Sequence, residues 1–389
     1  PSPTGARAGA ERRRRPPRPG APAPEPGPPP ASPGPPPLAK APAARYPPPM
    51  TEPTDLLAAP FDAGLLPRPS RLTVLRARPS ALPPDWIRAE QGFRPLHDAL
   101  AAQGVEVHPE LPPLADLPAT AIVATRSKAE TRALFARAWA LAAPGAPVLA
   151  AGAKTDGIES LQKAVRALLP LAGVLPRGHG RVFWTLKDRP TPPQFADWLA
   201  EAAPAPRVAL PDGARMTTAA GAFSWEEVDP GSALLAAQLP PLSGRVADLG
   251  AGWGYLAHEI LKHPAVAALD LVEAEHAALA CARANLADPR AAFRWADARA
   301  SGLPANAFDW VVTNPPFHQS RAAEPQLGEA FAAAAARLLK PSGTLLLVAN
   351  RALPYDRTLE ALFAETARLA ETPAYTVLRA DRPRRAPAR

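Results

Sequence analysis

A glycine-rich turn between a buried strand and a helix constrains the fold of this chain more than any other segment. Residues 246–249 (Val-Ala-Asp-Leu) are typical of a buried strand, and residues 250–254 (Gly-Ala-Gly-Trp-Gly) follow directly. The next segment, from Tyr255 to about Lys262, predicts a helix. Glycines at alternate positions let a backbone curl tightly and approach a ligand closely. We therefore expect an α/β fold with a ligand site at the turn.

The spacing of the glycines distinguishes between two classes of ligand. A lone glycine-rich turn is weak evidence, since nicotinamide-binding folds use a similar one. Here the pattern is G-x-G-x-G with Asp248 just before it, which is the S-adenosylmethionine pattern and not the dinucleotide G-x-G-x-x-G. An acid at the turn suits a ligand with a cationic amino-acid group, whereas a phosphate site would avoid one. The turn therefore predicts S-adenosylmethionine as the cofactor.

Two further acids end predicted strands. The strand 267–273 ends in Glu273, about 20 residues past the turn, which is the spacing of a carboxylate that binds ribose hydroxyls. Asp270 and Glu275 are the alternatives, but Asp270 lies inside the strand and Glu275 begins the next helix. The strand 293–297 ends in Asp297, which could accept a hydrogen bond from an adenine amino group. Each acid taken alone also fits a solvated strand end or a helix cap.

A loop of unusual stiffness follows a fourth predicted strand, residues 308–313. It consists of Asn314, Pro315, Pro316 and Phe317, and two consecutive prolines cannot continue a sheet or a helix interior. The Asn314 side chain and the Pro315 carbonyl can accept both hydrogens of one exocyclic amine, and Phe317 offers a face for a flat ring. The loop therefore predicts a site for the amine of a planar heterocycle or amide.

At these residues the chain resembles a class I S-adenosylmethionine-dependent methyltransferase of the amino-methylating branch. Residues 221–224 (Gly-Ala-Phe-Ser) and 229–235 (Asp-Pro-Gly-Ser-Ala-Leu-Leu) are similar to the segment before the glycine turn in the ribosomal RNA small-subunit methyltransferase C family. Residues 152–158 also fit that family's first domain, and the resemblance covers roughly residues 56–377. It implies methylation of N2 of a guanine in 16S ribosomal RNA.

The resemblance also implies roles for individual residues. Phe223 would close the site over the cofactor or base, although a core anchor is the alternative for this side chain. The residues expected to bind the cofactor are Asp248, Gly250, Gly252, Gly254, Glu273, Asp297 and Phe223. The residues expected to act in catalysis are Asn314, Pro315, Pro316 and Phe317.

The resemblance implies two tandem Rossmann-like domains of the class I methyltransferase type, mostly parallel, with an antiparallel strand near the C-terminus of the second. The first half has neither the glycine turn nor the Asn-Pro-Pro-Phe loop, so its domain is expected to be degenerate. A faint repeat relates residues 141–150 to residues 339–347. We expect a disordered Pro/Arg-rich leader, a degenerate RNA-docking domain, a catalytic domain and a basic disordered tail at residues 1–54, 55–205, 206–378 and 379–389.

The net charge of +8 is concentrated at the two ends of the chain. Residues 1–50 carry +6 and residues 379–389 carry +4, which leaves −2 for the body. Within the body, residues 51–205 come to +2 and residues 206–378 to −4. RNA phosphates are therefore expected on the first domain. The candidate RNA-binding residues are Lys163, Arg166, Arg177, Arg181 and Lys187, for which a solvated helix and loop is the alternative.

Other sequence features bear on membrane association, disulfides and cellular location. No apolar run is long enough to span a bilayer, and the single Cys281 excludes an intramolecular disulfide. We expect a cytoplasmic monomer that acts on ribosomal RNA or the small ribosomal subunit without a metal or a membrane. We also expect that translation begins at Met50, where the low-complexity sequence ends.

Several alternative functions stay open from the sequence. A sister family methylates guanine N2 in 23S ribosomal RNA, and the same loop serves enzymes that methylate adenine N6 in DNA or glutamine N5 in proteins. A non-catalytic RNA-binding assembly factor is a further alternative from a different class. A nicotinamide oxidoreductase is disfavoured by the glycine spacing.

Overall fold

The computed structural model describes residues 52–178, 180–316, 324–353 and 355–385, with the side chains of 324–326 excepted. The first domain is built on a seven-stranded sheet. Its strands are β1 (Leu72–Leu75), β2 (Ile87–Glu90), β3 (Glu106–His108), β4 (Thr120–Val123), β5 (Pro147–Ala153), β6 (Gly173–Arg177) and β7 (Gly180–Leu186). Its helices are α1 (Pro53–Leu56), α2 (Ala59–Asp62), α3 (Arg94–Ala102), α4 (Lys128–Leu141), α5 (Ile158–Arg166) and α6 (Gln194–Ala202).

A short antiparallel pair, β8 (Ala205–Ala209) and β9 (Arg215–Thr218), leads into the second domain. That domain has its own seven-stranded sheet. Its strands are β10 (Gly244–Leu249), β11 (Val266–Glu273), β12 (Ala291–Trp295), β13 (Phe308–Thr313), β14 (Leu339–Asn350), β15 (Phe363–Glu371) and β16 (Tyr375–Pro383). Its helices are α7 (Pro230–Ala236), α8 (Tyr255–Leu261), α9 (His276–Asn285), α10 (Glu324–Leu338) and α11 (Tyr355–Leu362).

The two sheets have the same strand order. The first runs β3-β2-β1-β4-β5-β7-β6 and the second β12-β11-β10-β13-β14-β16-β15. The first five strands of each order are parallel, and β7 and β16 run antiparallel to both of their neighbours. The central strands are apolar because both faces of each sheet are covered by helices or loops. This architecture confirms the predicted pair of Rossmann-like domains.

The internal repeat has a structural counterpart. Residues 147–150 lie in β5 and residues 339–347 in β14, and these two strands occupy the same position in their sheets. In each case a long helix, α4 or α10, leads into the strand. The sequence echo therefore marks equivalent parts of a duplicated fold.

Three predicted boundaries are wrong. Arg379–Pro383 is not a tail but completes β16, where Arg379 pairs with Asp381 and the backbone bonds to β14 and β15. The folded body begins before residue 55, because Pro53 starts α1 and Thr54 is buried. The strand predicted at 293–297 ends at Trp295, so Asp297 lies in the turn that follows it. The expected leader up to residue 51, with Met50, and residues 386–389 lie outside the described residues.

Candidate active site

The glycine turn lies at the carboxyl end of β10, a central strand of the second sheet. Gly250, Gly252 and Gly254 have φ angles of 77°, 55° and 94°, in the left-handed region that favours glycine. A Cβ added at Gly252 would meet no described atom within 4 Å, whereas one at Gly254 would lie 3.1 Å from Leu286 Cδ1. Gly254 therefore allows the turn to pack against α9 and its flanking loop, while Gly252 leaves open space for a ligand.

Asp248 is fully buried in β10 beneath this turn. Neither carboxylate oxygen has a hydrogen-bond partner among the described residues. Burial, and next to it the charge of Glu273, raises the pKa of Asp248 to about 8; the nearby N–H of Ala257 opposes this rise without reaching hydrogen-bond geometry. An unpaired buried acid is costly for a fold, so a cationic ligand in the cleft would supply a missing partner.

Glu273 binds the glycine turn directly. Its Oε2 accepts a hydrogen bond from the Gly252 N–H at 2.8 Å, and its Oε1 accepts one from the Glu275 N–H at 2.7 Å. Burial raises the pKa of Glu273, these N–H groups lower it, and the Glu275 charge adds to the rise. A carboxylate has about four acceptor sites, so lone pairs remain for ligand hydroxyls.

The two rival acids are engaged elsewhere. Asp270 is buried and pairs with Arg245 at 2.9 Å and with Arg294 at 2.9 Å. Glu275 pairs with Arg76 of the first domain at 2.8 Å. Of the three acids, Glu273 is the one that the structure brings to the turn.

Asp297 has a structural role that the sequence had left open. Its side chain caps a 3-10 turn, Ala298–Ala300, by accepting a hydrogen bond from the Arg299 N–H at 2.9 Å. Its carboxylate also pairs with the Arg299 guanidinium. Both oxygens have intramolecular partners, and an additional contact to an adenine amino group stays a prediction.

Asn314 is held in one orientation by two acceptors. Its Nδ2 donates to Asp229 Oδ2 at 2.9 Å and to Ser232 Oγ at 2.7 Å. An ionised carboxylate can only accept, so the amide nitrogen must face Asp229. The Asn314 Oδ1 is thereby left on the other side, buried and without a partner in the described part of the chain. The orientation of this acceptor is thus fixed by Asp229 and Ser232, and its use by an amine substrate stays a prediction.

Asp229 and Ser232 owe their positions to the start of α7. Asp229 is the N-cap of this helix, with Pro230 at its first position, and its Oδ2 accepts from the Ser232 N–H at 2.7 Å. A Cβ at Gly231 would lie 2.9 Å from the Tyr375 ring, so only glycine fits there. The sequence marked this segment by resemblance alone and missed its function. The available signal was an acid that can cap a helix, Asp229, followed three residues later by Ser232.

The rim of the cleft is formed by the segment before α7. Phe223 exposes 54% of its surface, so the alternative of a core anchor is wrong. The neighbouring Trp253 is buried, and its Nε1 donates to the carbonyls of Phe223 at 3.1 Å and Ser224 at 3.3 Å. The tryptophan within the glycine turn therefore holds the rim segment, a function that sequence reasoning did not assign.

Several of these residues border a narrow cleft of about 40 Å³. Phe223, Asp229, Ser232, Gly250, Gly252 and Asn314 are among the residues that line it. The orphaned Asp248 carboxyl, the open space at Gly252 and the unpartnered Asn314 oxygen fit a cofactor with a cationic amino-acid group beside an amine substrate. Pro315 is buried and Pro316 exposed, while Phe317 lies outside the described residues.

The candidate RNA-binding residues divide into an exposed group and a group engaged in intramolecular contacts. Lys163, Arg166 and Arg177 are exposed. Arg181 donates to Gln162 at 2.9 Å and pairs with Glu159.

Lys187 is also engaged, and it follows the end of β7 that is opposite to Arg181. Its Nζ donates to the carbonyls of Ala140 and Ala142 at the end of α4. Arg181 pairs in register with Gly152, whereas Leu186, next to Lys187, pairs with Pro147. At about 3.3 Å per residue, the five strand positions between Arg181 and Leu186 separate the two sites by roughly 17 Å. Arg181 and Lys187 therefore lie at opposite ends of β7.

Comparisons with known proteins agree with this geometry. The family model described as "Methyltransferase small domain" matches residues 213–379. A ribosomal RNA small subunit methyltransferase C of Shewanella amazonensis is 32% identical over 260 residues, which cover 65% of this chain and 74% of the relative. One from Shewanella sp. strain MR-4 is 30% identical over 231 residues, covering 59% of this chain and 66% of the relative. The chain thus spans about two thirds of the length of such relatives.

A solved structure is similar over both domains. It is the T. thermophilus 16S rRNA N2 methyltransferase (RsmC) in complex with AdoMet and guanosine, with a TM-score of 0.69 and 26% identity. The match covers 85% of this chain and 91% of that one. The chain therefore belongs to the ribosomal RNA small subunit methyltransferase C family of class I S-adenosylmethionine-dependent methyltransferases, as its motifs predicted.

Proposed function

We propose that this protein transfers a methyl group from S-adenosylmethionine to the exocyclic N2 of a guanine in 16S ribosomal RNA. One observation carries the proposal: the Asn314 amide is anchored through its nitrogen, and its buried oxygen is a fixed, unpartnered acceptor in the described structure. Family membership and the relatives' names support the choice of substrate. The similar T. thermophilus structure contains AdoMet and guanosine, the two ligands that this cleft would receive.

The chemistry follows from the anchored loop. A guanine amino group is a poor nucleophile because its lone pair is delocalised into the ring. Hydrogen bonds from its two N–H groups to Asn314 Oδ1 and the Pro315 carbonyl would favour a more tetrahedral nitrogen with a directed lone pair. The Asp229 carboxylate behind Asn314 further stabilises the positive charge that develops on the amine. The residues thus act by orientation and electrostatics, and the proton can leave after transfer without a strong base.

The cofactor, when bound, supplies an electrophilic methyl group on a sulfonium centre. Asp248 would face its cationic amino-acid group, since this carboxyl is buried with no described partner. Glu273, fixed on the turn by Gly252, would hold the ribose hydroxyls. Asp297 would hold the adenine amino group, and Phe223 would cover the site from its exposed position at the rim.

The base must reach the cleft from outside. A paired guanine cannot do so, and the target must therefore be unpaired or flipped out of its helix. We assign the docking of the surrounding RNA to the first domain, where the exposed Lys163, Arg166 and Arg177 would contact phosphates. Stacking of the base on Phe317 stays a prediction, as do the monomeric state, catalysis without a metal and the cytoplasmic location.

A labelling experiment tests the proposal against its alternatives. The protein is incubated with methyl-labelled S-adenosylmethionine and, separately, with hypomethylated small subunits, free 16S RNA and free 23S RNA, and the nucleosides are then analysed. We expect label in N2-methylguanosine from 16S RNA or small subunits. Label from 23S RNA, in N6-methyladenosine or in protein would overturn the proposal. Tight cofactor binding with no methyl transfer to any substrate would instead favour a non-catalytic assembly factor.

A further inference from the structure

The first domain has a counterpart of the cofactor turn, and an arginine occupies it. Leu75 ends β1 and Leu249 ends β10, strands at the same position in the two sheets. The residue that follows has a positive φ in both, 60° for Arg76 and 77° for Gly250. A non-glycine residue in this conformation is uncommon and is associated with functional positions. The first domain therefore keeps the turn's backbone conformation but places a long cationic side chain there.

The Arg76 guanidinium joins the two domains. Its Nε donates to Glu130 Oε1 on α4 of the first domain at 2.7 Å, and its Nη1 donates to Glu275 Oε2 of the second domain at 2.8 Å. All three side chains are largely buried, with 13–17% of their surface exposed. Burial lowers the pKa of Arg76, but the charges of Glu130 and Glu275 outweigh it and raise the pKa. The cation is thus the shared partner of two buried acids.

Each of these acids adjoins one wall of the cofactor cleft. Glu275 donates its N–H to Glu273, whose other oxygen accepts from the Gly252 N–H in the glycine turn. On the other side, Glu130 packs against Gly221: a Cβ added there would lie 2.5 Å from Glu130 Oε2. Gly221 is two residues before Phe223 on the rim of the cleft.

Further hydrogen bonds join the two domains near Arg76 and Glu275. The Arg94 N–H donates to the Ala274 carbonyl at 2.8 Å, and the His276 N–H donates to the Gly92 carbonyl at 2.9 Å. Trp295 Nε1 also donates to the Gly92 carbonyl at 2.9 Å. The loop after β2 in the first domain is thereby bound to the loop after β11, which carries Glu273 and Glu275.

We infer that Arg76 is a positioning residue for cofactor binding in the second domain. By neutralising Glu275 and Glu130 together, it holds the Glu273 loop and the Phe223 segment at the separation that the cleft requires. Loss of the cation would leave two buried like charges facing each other, and their repulsion would move both walls. This inference rests on the proposed use of S-adenosylmethionine. It means that the first domain contributes to cofactor binding through Arg76, although Arg76 does not line the cleft.

Arg137 offers a matched control. It binds Glu90 through two hydrogen bonds of 2.7 and 2.8 Å. Like Arg76, it lines a cavity that is bordered by residues of both domains, among them Glu275. Both Arg137 and Glu90 belong to the first domain. Removing this arginine therefore also leaves a buried acid without its cationic partner, although the Leu111 N–H still donates to Glu90, and both residues of the pair lie in the first domain.

The test measures S-adenosylmethionine affinity by calorimetry and methyl transfer at saturating cofactor. We expect Arg76→Met to weaken cofactor binding about tenfold while the rate at saturating cofactor changes much less, and Arg137→Met to leave affinity within about twofold. Arg76→Lys should recover part of the loss, because it keeps the charge. If Arg76→Met does not fold by circular dichroism, Glu275→Gln removes the same ion pair at constant volume and should weaken binding several-fold.

The outcomes separate the inference from the proposed function. Normal cofactor affinity in folded Arg76→Met or in Glu275→Gln would overturn the inference. An equal loss in Arg137→Met would also overturn it, since the effect would then be general destabilisation. A wild-type protein that binds no S-adenosylmethionine would instead contradict the proposed function itself.

Discussion

The two sheets of this protein share one strand order, but the polar groups at their carboxyl edges differ in whether they have hydrogen-bond partners. In the second domain, Asp248 and the Asn314 oxygen are buried and have no partner among the residues described. At the corresponding edge of the first domain, Arg76, Glu90 and Gln91 are all bound to other groups of the protein. Two domains with the same fold can therefore differ in whether they carry a ligand site. The second domain has buried acceptors that a ligand could satisfy, whereas the polar groups at this edge of the first domain are satisfied by contacts within the protein.

The largest effect is expected from the amine acceptor. Asn314→Ala should lower the rate of methyl transfer by about 10²- to 10³-fold, because it removes a preorganised electrostatic contact to the transition state. Cofactor affinity should stay within about twofold, since Asn314 is assigned to the amine and not to the cofactor. Rate and affinity are measured by label incorporation and by calorimetry. Asn350→Ala is the control, since within the described part of the chain its side chain accepts one hydrogen bond, from the Ala352 N–H at the same edge. Parallel loss of rate and affinity in Asn314→Ala would contradict the assignment.

The next effect concerns the buried acid. Asp248→Asn should weaken S-adenosylmethionine binding by about 10- to 100-fold, the value of one charge-assisted contact. Wild-type affinity should rise between pH 6 and 7.5, approaching tenfold per unit, because the free carboxyl, with a pKa of about 8, must lose its proton to bind a cation. The variant should lack this slope. Calorimetric titrations at several pH values would decide, and a pH-independent wild type would refute the role.

Asp248 also predicts how the stability of the free protein depends on pH. An acid whose pKa is raised on folding binds its proton more tightly in the folded state. The free energy of unfolding should therefore decrease as the pH rises from about 4 towards 8 through this group. Denaturant titrations of Asp248→Asn and wild type should show a smaller decrease for the variant.

A smaller effect is expected from the anchor of Asn314. Ser232→Ala removes one of two acceptors for the Asn314 amide and should lower the rate about five- to tenfold with unchanged cofactor affinity. The matched control lies in the other domain: Thr185→Val removes a buried hydroxyl that donates to the Pro170 carbonyl. That variant should change stability but not the rate in folded protein. Equal rates for Ser232→Ala and wild type would show that Asp229 alone orients the amide.

The smallest effect is expected on the first domain's surface. Lys163→Gln and Arg166→Gln should each weaken RNA binding a few-fold and reduce its salt dependence by about one phosphate contact. Lys187→Gln should leave RNA binding unchanged, since its ammonium already binds carbonyls at the end of α4. Binding isotherms at several salt concentrations measure both. A Lys187 effect as large as that of Lys163 would contradict the division between free and engaged cations.

Much of the second domain could be predicted because its signals are local. The strand at 308–313 was predicted with the bounds of β13, since an apolar run ended by two prolines has only one place to stop. Glu273 was chosen over Asp270 by its place at a strand end, and the structure brings it to the glycine turn. Asp297 shows the limit of this reasoning, because a strand end and a cap look alike in sequence.

The contacts that build the cleft could not be predicted in the same way. Asn314 meets Asp229 across 85 positions, and Arg76 meets Glu275 across 199. Neither pair has a spacing that local periodicity could reveal, and Arg76 follows an apolar strand like any other turn residue. The predicted tail at 379–389 failed for the same reason. Its charged residues resemble a solvated end until β14 and β15 provide backbone partners for Arg379–Pro383.

By itself the sequence determined the fold class and the family and singled out the glycine turn and the Asn-Pro-Pro loop, because each rests on residues adjacent in the chain. Only the tertiary structure decided which of these groups have partners. It left Asp248 and the Asn314 oxygen unsatisfied in the described residues, anchored Asn314 through Asp229 and Ser232, and joined the two domains through Arg76 and Glu275. The physical reason is that hydrogen bonding and desolvation depend on distances in space, which chain spacing does not contain.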